Sequence, residues 1–213
     1  LKADFVTEAA ADTITINKVP SGVPVKVSTT KTGDKLVLGL ADKASSTTAV
    51  TIEATEAHAD GAILDLDITG VEDLTINAKT TGLTFDLAGV DATASDGVTK
   101  LTLKGSAATL KAVNEDITVI DASAVIGAVK LPAADRVSSA ITITTGIGDD
   151  EIAMENGSDV LAAGLGTDTL DLRGNGVLGG FAIDLSSSTD QVTQYGGVVN
   201  TAAQTGFEHV DAS

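Results

Sequence analysis

A pattern that repeats every nine residues governs the stretch from Thr145 to Asp171, and it restricts local structure more than any other feature of the chain. The three copies read TGIGDDEIA, MENGSDVLA and AGLGTDTLD. Each copy carries glycine at its fourth position, aspartate at its sixth and an aliphatic residue at its eighth; these are Gly148, Gly157, Gly166, then Asp150, Asp159, Asp168, then Ile152, Leu161, Leu170. Three copies in register indicate a repeating backbone path.

The pattern predicts alternating turns and very short strands. The last three residues of each copy (151–153, 160–162 and 169–171) can form a strand whose aliphatic middle side chain points inward. The first six residues must then turn the chain, and glycine tolerates the positive φ angles that such a turn requires. Two copies complete one coil, so the first copy is expected to lie below the third on the same side.

This stacking predicts a calcium site between the first and third copies. It brings the loops of Asp150 and Asp168 to roughly the 4.8 Å spacing of paired strands. Two carboxylates at that separation repel each other unless a cation lies between them. Calcium suits the position because it accepts oxygen ligands in flexible geometry, and glycine-rich turns expose backbone carbonyl oxygens. The alternative is a set of β-solenoid turns that hold no ion.

The middle copy predicts only a weaker site on the opposite side. One coil earlier the register places Ile141 level with Asp159, one coil later it places Val177, and neither side chain can bind a cation. Asn156 and Asn175 are the remaining candidates. The first-site residues are Gly146, Gly148, Asp150, Gly164, Gly166 and Asp168, and the weaker site comprises Asn156, Gly157 and Asp159.

The repeat resembles the calcium-binding nonapeptide of RTX proteins, G-G-x-G-x-D-x-U-x. It departs from that motif at Thr145, Met154 and Ala163, which replace the first glycine, and at Glu155, which replaces the second glycine of the middle copy. RTX repeats are typical of secreted bacterial toxins, proteases, lipases, adhesins and S-layer proteins. The resemblance implies type I secretion, folding when Ca²⁺ is met outside the cell, and a structural or adhesive role at the cell surface.

Alternating apolar and polar residues predict strands through the rest of the chain, and no segment has convincing helical periodicity. The predicted strands are 13–17, 23–28, 35–40, 49–53, 62–68, 73–78, 83–88, 100–105, 116–123, 127–132, 140–146, 181–185 and 191–195. The segment 54–60 is expected to be a loop or a helical turn. Aromatic residues make up only 2% of the chain, which favours stacked thin coils over a sandwich with aromatic anchors.

These observations predict an all-β fold, an elongated parallel β-solenoid (β-helix) that ends in a short calcium-binding β-roll. The expected divisions are a β-rich N-terminal segment over 1–60, an irregular β-solenoid over 61–144, the calcium β-roll over 145–176 and trailing β coils over 177–213. Because the chain begins at Leu1 rather than at methionine, we expect it to be a fragment of a longer protein.

Charge and composition narrow the possible partners. The formal net charge of −17 disfavours nucleic acid and anionic lipid as partners. No apolar run approaches the length of a membrane span, so membrane insertion by this fragment is not expected. Cysteine is absent, which excludes a disulfide framework.

No catalytic constellation is apparent, and we expect the fragment not to be an enzyme. The two histidines, His58 and His209, are far apart in sequence, and no zinc-type or GxSxG motif occurs. The pairs Asp65 with Asp67 and Asp149 with Asp150 could in principle serve glycoside chemistry, but a charged outer row on a strand is the commoner explanation. A polysaccharide lyase also needs a basic residue beside an acidic cluster, and the sequence does not reveal one.

The predicted function is therefore that of a structural bacterial cell-surface protein of the S-layer type, with Ca²⁺ as its cofactor. The expected partners are further copies in a surface lattice or a cell-surface glycan. Two alternatives remain open. The chain could be a calcium-binding accessory domain of an RTX adhesin or secreted enzyme, or it could be a β-helical polysaccharide-active enzyme.

Overall fold

Successive strands of the chain join two parallel sheets in turn. The computed structural model of the chain describes residues 1–4, 11–28, 32–41, 49–54, 62–69, 71–90, 99–131, 140–173 and 179–212. All regular structure in these ranges is β-strand. They contain no helix of the length and apolar character needed to cross a membrane.

Each parallel sheet has nine strands. The first sheet contains, in spatial order, β1 (Lys2–Asp4), β3 (Pro24–Ser28), β5 (Ala49–Ala54), β7 (Asp73–Ala78), β9 (Lys100–Gly105), β11 (Val119–Val125), β13 (Thr142–Thr144), β15 (Val160–Ala162) and β20 (Gln204–Thr205). The second contains β2 (Thr13–Val19), β4 (Asp34–Leu40), β6 (Ala62–Thr69), β8 (Leu83–Leu87), β10 (Ala108–Val113), β12 (Val129–Leu131), β14 (Glu151–Ala153), β16 (Thr169–Asp171) and β21 (His209–Asp211). We call one strand of the first sheet, together with the next strand of the second, a coil.

The two sheets share one apolar core. Along β6 the side chains alternate between buried and half-buried, so that Leu64, Leu66 and Ile68 are fully inaccessible to solvent. The parallel register places similar side chains beside each other on neighbouring strands. Leu74, for example, pairs with Leu101. Each such side chain contributes about 1.5–3 kcal/mol on burial. The all-β architecture with parallel sheets is thus confirmed, and it is compatible with a β-solenoid.

Most predicted strands are confirmed, and the nonapeptide strands β14, β15 and β16 occupy the predicted residues. The strand β10 was not predicted, because its pairing with β8 shifts register between Leu110 and Ala112. That irregularity interrupts the alternation by which a strand is recognised. Of the segment 54–60, for which the sequence predicts a loop or helical turn, Ala54 is the last residue of β5, and residues 55–60 lie outside the described residues.

After β16 the chain departs from the two sheets before returning to them. The strands β17 (Ala182–Ile183), β18 (Val192–Tyr195) and β19 (Val198–Val199) form a separate antiparallel sheet. The segments 181–185 and 191–195 therefore contain strands as predicted, but these strands do not continue the parallel sheets as further coils. Among the described strands after β16, β20 and β21 do so, by pairing with β15 and β16.

Three buried amide side chains attach this antiparallel sheet to the coils. Gln191 donates from Nε2 to the carbonyl oxygens of Leu185 and Phe207, and its Oε1 accepts the Phe207 N–H at 2.9 Å. Asn200 donates to Oε1 of Gln204 at 2.6 Å, and Gln204 in turn donates to the carbonyl oxygen of Asp159. Because buried amides are costly unless hydrogen-bonded, this network ties the departing segment to one position on the coils.

An arginine on the outer surface connects the last coils. The Arg173 guanidinium contacts Glu151 on β14 at 2.8 Å, Asp171 on β16 at 2.9 Å and Asp211 on β21 at 3.2 Å. One cation thus offsets the repulsion among three carboxylates on successive strands of the second sheet.

Candidate metal centre

The three nonapeptides alternate between the two sheets. Strands β14 and β16 are neighbours in the second sheet, with Glu151 opposite Thr169, whereas β15 lies in the first sheet opposite β13. Two copies therefore make one coil, as predicted. Asp150 and Asp168 lie on the same side in consecutive coils, and Asp159 lies on the other side.

A third acidic residue from outside the repeats joins this stack. Strand β21 pairs with β16 so that His209 lies opposite Thr169. The residues that precede these strands are therefore level with one another in consecutive coils: Asp150, then Asp168, then Glu208. We call these three residues the acid column.

Each member of the acid column accepts a backbone N–H from the coil before it. The N–H of Val129 donates to Oδ1 of Asp150 at 2.7 Å, and the N–H of Asp150 donates to Oδ1 of Asp168 at 2.8 Å. The N–H of Asp168 then donates to Oε2 of Glu208 at 2.8 Å. One oxygen of each carboxylate thus continues the hydrogen bonding of the sheet into the loops.

The other oxygen of each aspartate lacks a hydrogen bond of normal geometry, although the Thr145 hydroxyl and the Gly146 N–H lie near Asp150. Asp150 and Asp168 are 1% and 0% exposed, and Oδ2 of each is buried without a hydrogen bond. A buried carboxylate oxygen in this state is costly, because burial removes its water without replacing it. A proton, a bound water or a cation would each supply the missing partner of these two oxygens.

Burial and crowding raise the pKa values of both aspartates. The pKa of Asp168 is raised to about 6, first because the carboxyl is buried, and further because Asp150, Glu208 and Asp149 are negatively charged neighbours. The pKa of Asp150 is also raised by burial, although the nearby Thr145 hydroxyl and the Val129 N–H oppose the shift. The negative charge of these two aspartates is therefore unfavourable in its surroundings, and a cation bound beside them would relieve that cost.

The four glycines predicted for this site serve close stacking of the loops. A Cβ on Gly146 or Gly164 would overlap the carbonyl oxygen of Val125 or Gly146, one coil earlier. A Cβ on Gly148 or Gly166 would likewise overlap the backbone of Gly127 or Gly148. Gly164 has a φ of +87°, so the left-handed conformation adds to its requirement for glycine.

The predicted weaker site around Asp159 has a different hydrogen-bond pattern. Oδ1 of Asp159 accepts the Ile141 N–H at 3.1 Å, and Oδ2 accepts the N–H groups of Glu155 and Asn156 at 3.1 and 3.0 Å. Asn156 therefore contacts Asp159 through its backbone, while its Oδ1 accepts the Ser158 N–H. Both oxygens of Asp159 thus accept backbone N–H groups, whereas in Asp150 and Asp168 only Oδ1 does so.

The coils on either side of Asp159 follow the register only in part. Thr142 pairs with Val160, which places Ile141 level with Asp159 as predicted. The next strand of that sheet is β20, where Gln204 pairs with Leu161. The segment before Gln204 therefore supplies the position one coil later. Asn175 and Val177 lie outside the described residues.

The donor set of the acid column fits calcium in its chemistry. Calcium prefers hard oxygen ligands, and the column offers two buried, unpartnered carboxylate oxygens beside Glu208. Within the described parts of the chain, no group of three or more His, Cys, Asp or Glu side chains is arranged to hold a metal by itself. Backbone carbonyl oxygens or water must therefore complete the coordination of an ion bound here.

The outer face of the second sheet holds a basic residue beside acidic ones. Nζ of Lys35 lies 3.1 Å from Oδ2 of Asp67 and 3.7 Å from Oδ2 of Asp65, so these two aspartates share a face as predicted. The pKa of Lys35 is raised, chiefly by its hydrogen bond to Asp67. A lysine that acts as a base needs a lowered pKa, so this cluster favours a structural ion pair.

The remaining candidates for catalysis are His209, Asp149 and His58. His209 is exposed on β21, and Asp149 is exposed beside the buried Asp150, with its Oδ1 accepting the Thr167 N–H at 2.9 Å. His58 lies outside the described residues.

Glu208 is the site residue that the repeat pattern does not predict. The segment Thr205–Gly206 matches Thr145–Gly146, and the order of Glu208, His209 and Val210 matches that of Asp150, Glu151 and Ile152. Its loop is shorter, so a search in steps of nine residues misses the match. No family model matches the chain, and neither a curated protein nor a solved structure is similar to it.

Proposed function

We propose that this chain is a calcium-stabilised β-solenoid segment of a bacterial cell-surface protein of the S-layer type. The parallel sheets would form the solenoid, and the loops of Asp150 and Asp168 would form a short β-roll at which Ca²⁺ binds. In this role calcium stabilises the fold and acts as a signal, because the solenoid becomes complete only where the ion is plentiful.

The observation that carries the proposal is the pair of buried Oδ2 atoms on Asp150 and Asp168. Both lack a hydrogen bond of normal geometry, and they belong to residues level with each other in consecutive coils. A proton could stabilise one of them below a pH of about 6, the pKa of Asp168. Once the carboxyls are ionised, a cation would offset their negative charge, which a neutral water molecule would not.

Two further features support an extracellular structural role. The net charge of −17 supplies many oxygen ligands for divalent cations and keeps copies apart until cations screen the charge. The nonapeptides also resemble those of RTX proteins, in which folding is coupled to calcium outside the cell. Self-association of copies in the presence of calcium is the corresponding expectation for a lattice protein.

The test measures amide exchange and association on the full chain. In millimolar Ca²⁺ the N–H groups of Val129, Asp150 and Asp168, which bond across coils, are expected to exchange more slowly than in a chelator. Sedimentation should show larger species with Ca²⁺ than with Mg²⁺ at equal ionic strength. Exchange rates and association that are the same in calcium and in chelator would overturn the proposal.

The two alternative functions can be distinguished by oligomeric state and by catalytic activity. An accessory domain of a secreted adhesin or enzyme would bind calcium equally but would remain monomeric. A polysaccharide-active enzyme is favoured only by the Lys35 cluster, whose raised lysine pKa argues against a base there. We expect no turnover on polysaccharide, and turnover that Asp67→Asn abolishes would favour the enzyme.

A further inference from the structure

An open cleft lies beside the acid column. Its volume is about 820 Å³, and it is formed where the loop of residues 185–191 faces the last coils. Its lining includes Gly164, Ser187, Gln191, Phe207 and Glu208. Of the three members of the acid column, Glu208 alone lines this cleft and is exposed. The column is thus buried at Asp150 and Asp168 and reaches solvent at Glu208.

The hydrogen bond between Asp168 and Glu208 repeats the one between Asp150 and Asp168. In both pairs the later carboxylate accepts the backbone N–H of the earlier residue at 2.8 Å. In both pairs the earlier aspartate retains a buried Oδ2 without a partner. The column therefore contains two equivalent gaps between carboxylates, of which only the first lies within the nonapeptides.

We propose that Asp168 and Glu208 form a second divalent-cation subsite, open to the cleft, in addition to the one between Asp150 and Asp168. This inference rests on the proposed function, since it assumes that the acid column binds calcium. The independent observation behind it is Oδ2 of Asp168, which belongs to a fully buried residue and has no partner. Asp168 contributes to both subsites, whereas Asp150 and Glu208 each contribute to one.

The local charge agrees with two ions. Asp149, Asp150 and Glu208 all lie close enough to Asp168 to raise its pKa through their negative charges. Together with Asp168 they form a group of four carboxylates. Asp150 and Asp168 are buried, whereas Asp149 and Glu208 are exposed. One divalent ion would offset half of the charge of four ionised carboxylates, and two ions would offset all of it.

The subsite also gives the last coil a dependence on calcium. Strand β21 and the segment before it return to the coils from the antiparallel sheet, and Glu208 is the acidic contact of that coil with Asp168. An ion shared by Asp168 and Glu208 would bond the returning coil to the repeats. Calcium would thus order the segment 204–211 together with the nonapeptides.

The experiment is calorimetric titration of Ca²⁺ into the chelator-stripped full chain and its variants. Glu208→Gln is the central variant, because glutamine can still accept the Asp168 N–H while losing the charge. The control is Glu115→Gln, which makes the same change of charge at an exposed residue of the turn after β10. Amide exchange of Asp168 in chelator checks that Glu208→Gln preserves the fold.

The wild type and Glu115→Gln are expected to bind about two ions per chain, and Glu208→Gln about one. Because both ions contact Asp168, the affinity of the remaining ion is not expected to equal its value in the wild type. Wild type that binds a single ion, with affinity unchanged by Glu208→Gln, would overturn the second subsite while leaving the proposed function intact. A wild type that binds no calcium would overturn both.

Discussion

The backbone N–H of Asp150 donates a 2.8 Å hydrogen bond to Oδ1 of Asp168, the equivalent residue one coil later. The loops of the nonapeptides are therefore joined by a side chain at the point where the strand ladder stops. The bond uses one carboxylate oxygen and leaves Oδ2 of Asp168 buried and unpartnered. The same side chain thus continues the ladder and presents a ligand atom.

Replacing the aspartates of the acid column by asparagine should lower calcium affinity by an amount that depends on the position. Asp168→Asn is expected to lower affinity by about a hundredfold or more, because ligand charge largely sets calcium affinity and Asp168 serves both gaps. Asp150→Asn should remove one of about two ions. The double change at Asp150 and Asp168 should cost little more than Asp168→Asn alone, since the two residues share an ion. Calorimetric titration provides the measurement.

The matched control for these variants is Asp159→Asn, which makes the same chemical change in the middle nonapeptide. Both oxygens of Asp159 already accept backbone N–H groups, so calcium affinity should change by no more than about twofold. Equal losses of affinity at all three aspartates would show that their different hydrogen bonding has no bearing on calcium.

The period of nine residues was sufficient to predict the path of the repeats. The alternation of β14, β15 and β16 between the sheets follows from two units per coil, and so does the juxtaposition of Asp150 and Asp168. These are local consequences of glycine turns and of inward-pointing aliphatic residues. Local regularity of this kind is visible in one sequence.

The return of the chain at β20 could not be predicted, because its causes are distant in sequence. Gln204 is placed by bonds to Asn200 and to the carbonyl oxygen of Asp159. No sequence feature near Gln204 indicates that its side chain bonds to a residue 45 positions away. The membership of Glu208 in the acid column depends on this return and was missed for the same reason.

The different roles of the three aspartates also required coordinates. Asp150, Asp159 and Asp168 occupy the same position of the repeat, yet only Asp159 has both oxygens saturated by backbone N–H groups. The saturation arises because the turn of Glu155 and Asn156 folds back onto the carboxylate. A pattern of residue types does not reveal which amides a loop directs at a side chain.

Asp159 should matter for stability in the absence of calcium. Asp159→Ala leaves the N–H groups of Ile141, Glu155 and Asn156 without their acceptor. A buried donor left unsatisfied costs roughly 1–3 kcal/mol, and the half-buried Glu155 and Asn156 N–H groups cost less because water reaches them. The free energy of unfolding in chelator should therefore fall by about 2–4 kcal/mol. Urea denaturation measures this loss. Asp159→Asn, which retains one acceptor oxygen, should lose less, and equal losses for the two variants would contradict the assignment.

Stability without calcium should fall as the pH rises through the titration of Asp168. Its pKa is about 6 in the folded chain against 3.8 ordinarily, so the folded state holds this proton more tightly than the unfolded state does. The stabilisation is complete below a pH of about 4 and is lost as the pH passes through about 6. The shift corresponds to a penalty of roughly 3 kcal/mol at neutral pH.

The measurement for this dependence is urea denaturation in chelator at pH 4.5 and 7.5, compared with Asp168→Asn. The comparison is needed because other groups, such as Asp121, have a lowered pKa and contribute with the opposite sign. Asp168→Asn should lose less stability between the two pH values than the wild type. Added Ca²⁺ should reverse the wild-type trend, because the ion binds the deprotonated carboxylate. Parallel pH profiles of wild type and variant would contradict a proton held by Asp168.

Close stacking of the glycine loops should make Gly164 far less replaceable than Gly197. Both have positive φ angles, +87° and +78°, so alanine costs each of them about 1–2 kcal/mol in backbone strain. A Cβ at Gly164 would also overlap the carbonyl oxygen of Gly146, whereas a Cβ at Gly197 meets no atom within 4 Å. Gly164→Ala should therefore force the coils of Asp150 and Asp168 apart, lowering both the midpoint of urea denaturation and the affinity for calcium. Gly197→Ala should show the strain alone and bind calcium as the wild type does. Equal effects of the two substitutions would mean that the loops tolerate a wider spacing than their contacts indicate.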